Sequence, residues 1–137
     1  MSPPPTLEKV VEDNVVKDQN KWAGGVHLAA ILLALLTSLT AGVGGMIAGV
    51  IVWLIKKDES SFIRKHAAAT FNFHLAMTLA MAATYLFVIV TLGIGVLVIW
   101  PVWIALALVW FFYSVSSSIN GFKGKESSYP FGIPVLS

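Results

Sequence analysis

Two stretches of this chain carry no Asp, Glu, Lys or Arg, and they constrain its fold more than any other feature. The first, residues 22–55, is 34 residues long; the second, residues 67–122, is 56 residues long once His66 is counted as polar. A helix that crosses a bilayer needs about 20 apolar residues. The first run exceeds one span, and the second has the length of a helical hairpin. Composition agrees, with 57% hydrophobic and 12% charged residues, where an ordinary soluble domain carries about 25% charged residues. In water such a surface would leave large apolar patches exposed, whereas lipid is the solvent that apolar faces prefer. At 137 residues the chain makes one domain and not two.

Glycine divides the first run. Thr40-Ala41-Gly42-Val43-Gly44-Gly45 weakens a helix and permits a sharp turn, which predicts helices at 22–39 and 46–55. Each arm of about 15 residues reaches about 22 Å, less than the ~30 Å hydrocarbon core. The hairpin is therefore re-entrant, or the bilayer thins around it. A single helix over the whole run is the rival, with steep tilt and four glycines in its middle. Residues 56–66 form the one interior polar stretch. Ser60 or Ser61 offers an N-cap for a helix at 62–92. Gly93-Ile94-Gly95 turns the chain into a last helix at 96–120, with Pro101 in its first turns and Gly121 at its end.

Upstream, Met1 to Pro5 is extended by its prolines, and Thr6 offers a cap for a short helix. Leu7, Val10, Val11 and Val15 share one face of it, so it lies on the membrane surface or on a partner; a frayed, solvated segment is the other reading. The expected fold is all-α: an integral membrane bundle of four helices, with a short first hairpin and an interfacial amphipathic segment. Residues 1–21 form a cytoplasmic leader, 22–122 the membrane domain and 123–137 a cytoplasmic tail.

Orientation follows from the basic residues. Lys9, Lys17 and Lys21 precede the first helix, Lys56, Lys57, Arg64 and Lys65 sit in the middle, and Lys123 and Lys125 follow the last helix. In the four-helix reading all of them share one side, and the positive-inside rule puts both termini in the cytoplasm. This describes a multi-pass membrane protein. The leader fits neither a secretory signal nor a transit peptide, so the first run reads as an uncleaved signal anchor. The sequence pI is near 9.0, but the basic residues flank apolar runs. Lipid headgroups, not nucleic acid, are the partners they suit. With no cysteine, disulfides, thiolate catalysis and Cys-ligated metals are excluded.

The candidate site residues are polar groups set among apolar ones. His66, Thr70 and His74 recur at spacing four and form a polar stripe, with Asn72 off its line. A stripe like this lines a pathway, or it ties helices together by hydrogen bonds. His27 is a further intramembrane polar residue. A metal site would need His27 to meet another histidine from a different helix, because His66 and His74 stand about 12 Å apart along one helix. No acid or thiol lies within the runs to complete a shell, so no cofactor is expected. Lys56, Lys57, Arg64 and Lys65 are candidates for contact with anionic lipid or a protein partner. Gly45 and Gly49, and Ala76 and Ala80, are small-residue ridges for helix packing or a homo-oligomer interface. Trp22, Trp53, Trp100, Trp103 and Trp110 read mostly as interfacial anchors. Ser114, Ser116, Ser117 and Ser118 lack a base and a nucleophile elbow, so they read as polar helix-end residues and no enzyme is expected.

One pattern resembles a known family. Trp53-Leu54-Ile55-Lys56-Lys57-Asp58-Glu59-Ser60-Ser61-Phe62, then His66 and Phe71-Asn72-Phe73, with His27-Leu28 before and Gly124 and Tyr129-Pro130 after, is similar to Tic-twenty-like bacterial membrane proteins, relatives of a chloroplast inner-envelope protein-import subunit. The resemblance spans residues 20–136. It implies a four-helix fold in the bacterial cytoplasmic (inner) membrane and a place in or beside a protein-conducting complex. The function expected is a non-catalytic interaction or assembly module in the membrane, linked to protein translocation; the alternative is a small transporter or channel.

Overall fold

A computed structural model describes residue 1, residues 3–37 and residues 42–137. The described residues form four α-helices: α1 Leu7–Thr37, α2 Val43–Lys56, α3 Ser61–Val90 and α4 Val96–Phe122. The all-α, four-helix expectation holds.

Thr6 starts α1 as its sequence suggests: its hydroxyl accepts from the Lys9 N–H at 3.4 Å and its carbonyl from Val10 at 3.0 Å. The leader helix and the first membrane arm, expected as separate pieces with a helix at 22–39, are one helix of 31 residues. Gly24-Gly25 does not break it, because Gly24 lies against the Phe122 ring of α4. The expected breaker falls partly on residues 40 and 41, which lie outside the described residues, as does residue 39. Beyond them α2 begins at Val43 and not at Met46. Gly44 and Gly45 are inside the helix because their bare faces are packed, Gly44 against Leu33 and Ala34 and Gly45 against the His74 ring. Close approach outweighs the low helix propensity of glycine.

Ser60 caps α3 from an extended conformation (φ −151°), its Oγ accepting from the Ile63 N–H at 3.3 Å. The helix stops at Val90, before the expected residue 92, because Leu92 and Gly93 adopt φ of 54° and 89° to turn the chain. At the other end α4 runs through Gly121, expected as its stop, to Phe122. Gly121 serves as a contact instead: a Cβ there would lie 2.5 Å from the Gly24 backbone nitrogen.

α1 is the centre of the bundle and packs on each of the other three helices; α3 and α4 touch only slightly, and α2 and α4 do not touch among the described residues. Gly49 lets α2 approach α3 so closely that a Cβ would lie 2.7 Å from the Phe71 nitrogen. Ile31, Ala34, Phe73, Met77 and Trp110 form the apolar core. The outer surface is also apolar: Leu86, Phe87, Ile89, Val90, Leu97 and Val98 are all exposed. Ser61–Val90 and Val96–Phe122 are each long and apolar enough to cross a membrane. α2, at 14 residues, reaches only about 21 Å.

The tail folds back instead of trailing away. Residues 127–136 run along α3 and α4, with the Tyr129 ring stacked on Phe73 at 4.1 Å and Ser128 N–H donating to Ser117 at 2.9 Å.

Candidate functional site

The three histidines, scattered along the sequence, meet near the charged end of the bundle. His27 is on α1, His66 and His74 are on α3, and all three are buried. His27 Nε2 lies 2.8 Å from His66 Nδ1. His66 Nε2 lies 2.9 Å from the Lys125 carbonyl. His27 Nδ1 faces two hydroxyls, Tyr129 at 2.9 Å and Thr70 at 2.8 Å. One turn deeper, His74 Nδ1 lies 2.8 Å from the Thr70 carbonyl, and Trp110 Nε1 donates to His74 Nε2 at 2.9 Å.

These partners fix where the protons are. A carbonyl can only accept, so His66 carries its proton on Nε2 and presents a bare Nδ1. His27 must then donate from Nε2 and accept at Nδ1. Thr70 has a second acceptor, the His66 carbonyl at 2.8 Å, and with its proton there Tyr129 supplies the proton to His27. His74 is likewise fixed, donating from Nδ1 and accepting from the indole at Nε2. Every ring is neutral in this scheme, since an added proton on His66 would set N–H against N–H. Burial raises the Tyr129 hydroxyl well above the ordinary tyrosine value, which keeps it a donor. The network runs Tyr129 to His27 to His66 to Lys125, so α1, α3 and the tail close around one another.

His66, Thr70 and His74 are all buried, and each is hydrogen-bonded within the bundle. Asn72, off the stripe, holds the tail. Its Oδ1 accepts from the N–H groups of Val135 and Leu136, both at 3.0 Å, and its Nδ2 donates to the Leu136 carbonyl at 2.8 Å. The four central cations do not form one patch. Lys56 lies over the Trp22 ring at 4.8 Å and pairs with Glu59; Lys57 lies over Trp53 at 4.7 Å. Lys65 is 3.8 Å from Glu126, and the Nε of Arg64 is buried without a hydrogen-bond partner among the described residues. Gly45 and Gly49 are packing positions between α2 and α3, whereas Ala76 and Ala80 are only half-buried. Among the described residues no group of three or more His, Cys, Asp or Glu is placed to hold a metal ion; the His27–His66 meeting is a hydrogen bond.

Sequence reasoning named Tyr129, Trp110 and the serines but did not place them in this network. Trp110 is a core residue and not an interfacial anchor. Ser114, Ser117 and Ser118 are buried, and Ser118 ties α4 to the Gly24 carbonyl at 3.0 Å. The signal was Tyr129, an aromatic residue beyond the last helix, whose ring packs on Phe73.

Fold and site together define a small helical membrane protein whose buried polar groups are bonded mainly to one another. The model of the magnetosome magnetite crystal formation protein family matches residues 18–136, and the chain belongs to that family. No curated protein and no solved structure matches it. The family assignment overturns the Tic-twenty-like resemblance and, with it, the link to protein translocation. The residues that carried the resemblance hold the fold: Ser60 caps α3, His27, His66 and Tyr129 join three segments, and Asn72 fastens the tail. Such a pattern records how helices and tail pack, and it specifies no translocation chemistry.

Proposed function

We propose that this chain is a multi-pass, non-catalytic membrane component of magnetite crystal formation, and that it acts from the cytoplasmic side of its membrane. The observation that carries this reading is the distribution of charge. Every Asp, Glu, Lys and Arg lies in residues 8–21, 56–65 or 123–126. Those segments gather at one end of the bundle, as the Lys56–Trp22 and Lys65–Glu126 contacts demonstrate. The opposite turn, Thr91 to Gly95, has no charge, and neither do residues 38–41. Carboxylate oxygens suit hard metal ions, and oxidised iron is hard. A mineral surface at the uncharged end would meet no carboxylate of this chain. With all basic residues at the other end, the positive-inside rule sets that end in the cytoplasm with both termini. The protein then influences crystals through lipid and protein partners at its charged face, or through a second copy, and not by touching mineral from the far side. The polar core supports a structural role, since each histidine nitrogen is already paired within the protein.

Reporter fusions at each terminus and at Gly93 test the orientation, read beside crystal size in cells whose Glu8, Glu12, Asp13 and Asp18 are all replaced by Gln or Asn. Cytoplasmic termini are expected. Termini on the non-cytoplasmic side, with crystals altered by the acid replacements, would overturn the proposal and make the acids a mineral contact.

A further inference from the structure

At the charged end, a groove of 380 Å³ runs between α1 and α2, lined by Asp18, Lys21, Trp22, Gly25, Val26, Ala29 and Val52. Its two parts differ in chemistry. Asp18, Lys21 and Trp22 lie toward the charged end of α1, and Gly25, Ala29 and Val52 continue it into the apolar part of the bundle. From Asp18 to Ala29 the groove follows about 16 Å of helix. Polar mouth and apolar floor are thus arranged along the direction in which a phospholipid changes from headgroup to acyl chain.

The mouth carries both signs of charge. Asp18 and Lys21 are three residues apart on one helix face, yet they form no ion pair among the described residues. Each is free to meet an outside charge. A second cation, Lys56, is held over the Trp22 ring at 4.8 Å. Trp22 itself is half-buried, as suits a ring at headgroup depth. A headgroup that offers a phosphate to Lys21 and an ammonium to Asp18 satisfies both. An anionic glycerol headgroup would satisfy Lys21 but offer Asp18 only neutral hydroxyl donors and no opposite charge.

The floor is open because of one residue. A Cβ placed on Gly25 would meet nothing within 4 Å, unlike Gly24 beside it, which packs against Phe122. The bare face of Gly25 is turned to the groove and not to a neighbouring helix.

We propose that this groove seats one zwitterionic phospholipid of the phosphatidylethanolamine type, its phosphate on Lys21, its ammonium on Asp18 and the first part of an acyl chain on Gly25, Ala29 and Val52. The seat is separate from the histidine network and does not depend on the crystal-formation reading.

The full-length chain, purified in mild detergent and offered equimolar phosphatidylethanolamine and phosphatidylglycerol, is examined by native mass spectrometry. One phosphatidylethanolamine is expected to be retained in preference to phosphatidylglycerol. Gly25→Leu adds bulk to the floor from a position where a Cβ meets open space, and should lower retention about tenfold while leaving the helical circular dichroism unchanged. Asp18→Asn removes the ammonium partner at an exposed position and should reverse the preference; it keeps the proposal testable if Gly25→Leu fails to fold. Equal retention of the two lipids by the unaltered protein, or retention indifferent to both substitutions, would overturn the proposal.

Discussion

His27 and His66, 39 positions apart in sequence, are joined ring to ring at 2.8 Å in the buried interior. Each is held in one tautomer by its other nitrogen. The pair links α1 to α3, and through Lys125 and Tyr129 it links both to the tail. Removing one member therefore leaves several groups unpaired at once, and an unpaired buried polar group costs more than the bond it lost.

His66→Ala strands the His27 N–H and the Lys125 carbonyl. The expected loss is about 2–4 kcal/mol of stability, read as a lower unfolding midpoint in detergent. A midpoint equal to that of the unaltered protein would mean that the network contributes nothing to folding.

Tyr129 makes two kinds of contact, and substitution separates them. Tyr129→Phe keeps the stack on Phe73 and removes the hydroxyl, at about 1 kcal/mol. Tyr129→Ala removes both, at about 3–5 kcal/mol. Hydrogen exchange of residues 127–136 should rise slightly in the first and strongly in the second. Equal exchange in the two variants would assign all of the docking to the hydroxyl.

Asn72→Leu removes the acceptor of two tail N–H groups and the donor to Leu136. Proteolysis after Phe131 should accelerate while the helix content stays constant. A tail as resistant as before would show that Phe73 and Ser117 hold it without Asn72.

Gly49 and Gly25 form a matched pair. Gly49→Ala drives a methyl against the Phe71 and Ala67 backbone and should destabilise the α2–α3 contact by about 1–3 kcal/mol. Gly25→Ala meets open space and should be neutral or stabilising by up to about 1 kcal/mol, from helix propensity alone. Thermal unfolding of the two variants checks the contrast, and equal effects would contradict the packing described for α2.

The helices were legible where a local rule governed them. Ser60 has a hydroxyl at the right distance before an apolar run, so its cap could be read directly. The joining of the leader to the first arm was not, because the expected boundary after Lys21 follows the end of the charged residues, and a change from charged to apolar residues does not stop a helix. The stripe of His66, Thr70 and His74 was readable from its spacing. Its partners were not, since His27 approaches from α1 and Tyr129 from the tail beyond α4. The resemblance to import proteins misled for the same reason: polar residues that serve packing look, in one dimension, like a functional motif.

By itself the sequence determined that the chain is helical and suited to lipid, how many helices it has, and that all charge lies at one end. These follow from runs of apolar residues and from caps, which act over a few positions. Only the tertiary structure decided which polar groups meet. A hydrogen bond between His27 and His66 depends on α1 and α3 lying side by side in register, and that placement comes from the packing of the whole bundle, including close approaches at Gly49 and Gly121 that lie far from both histidines in the sequence.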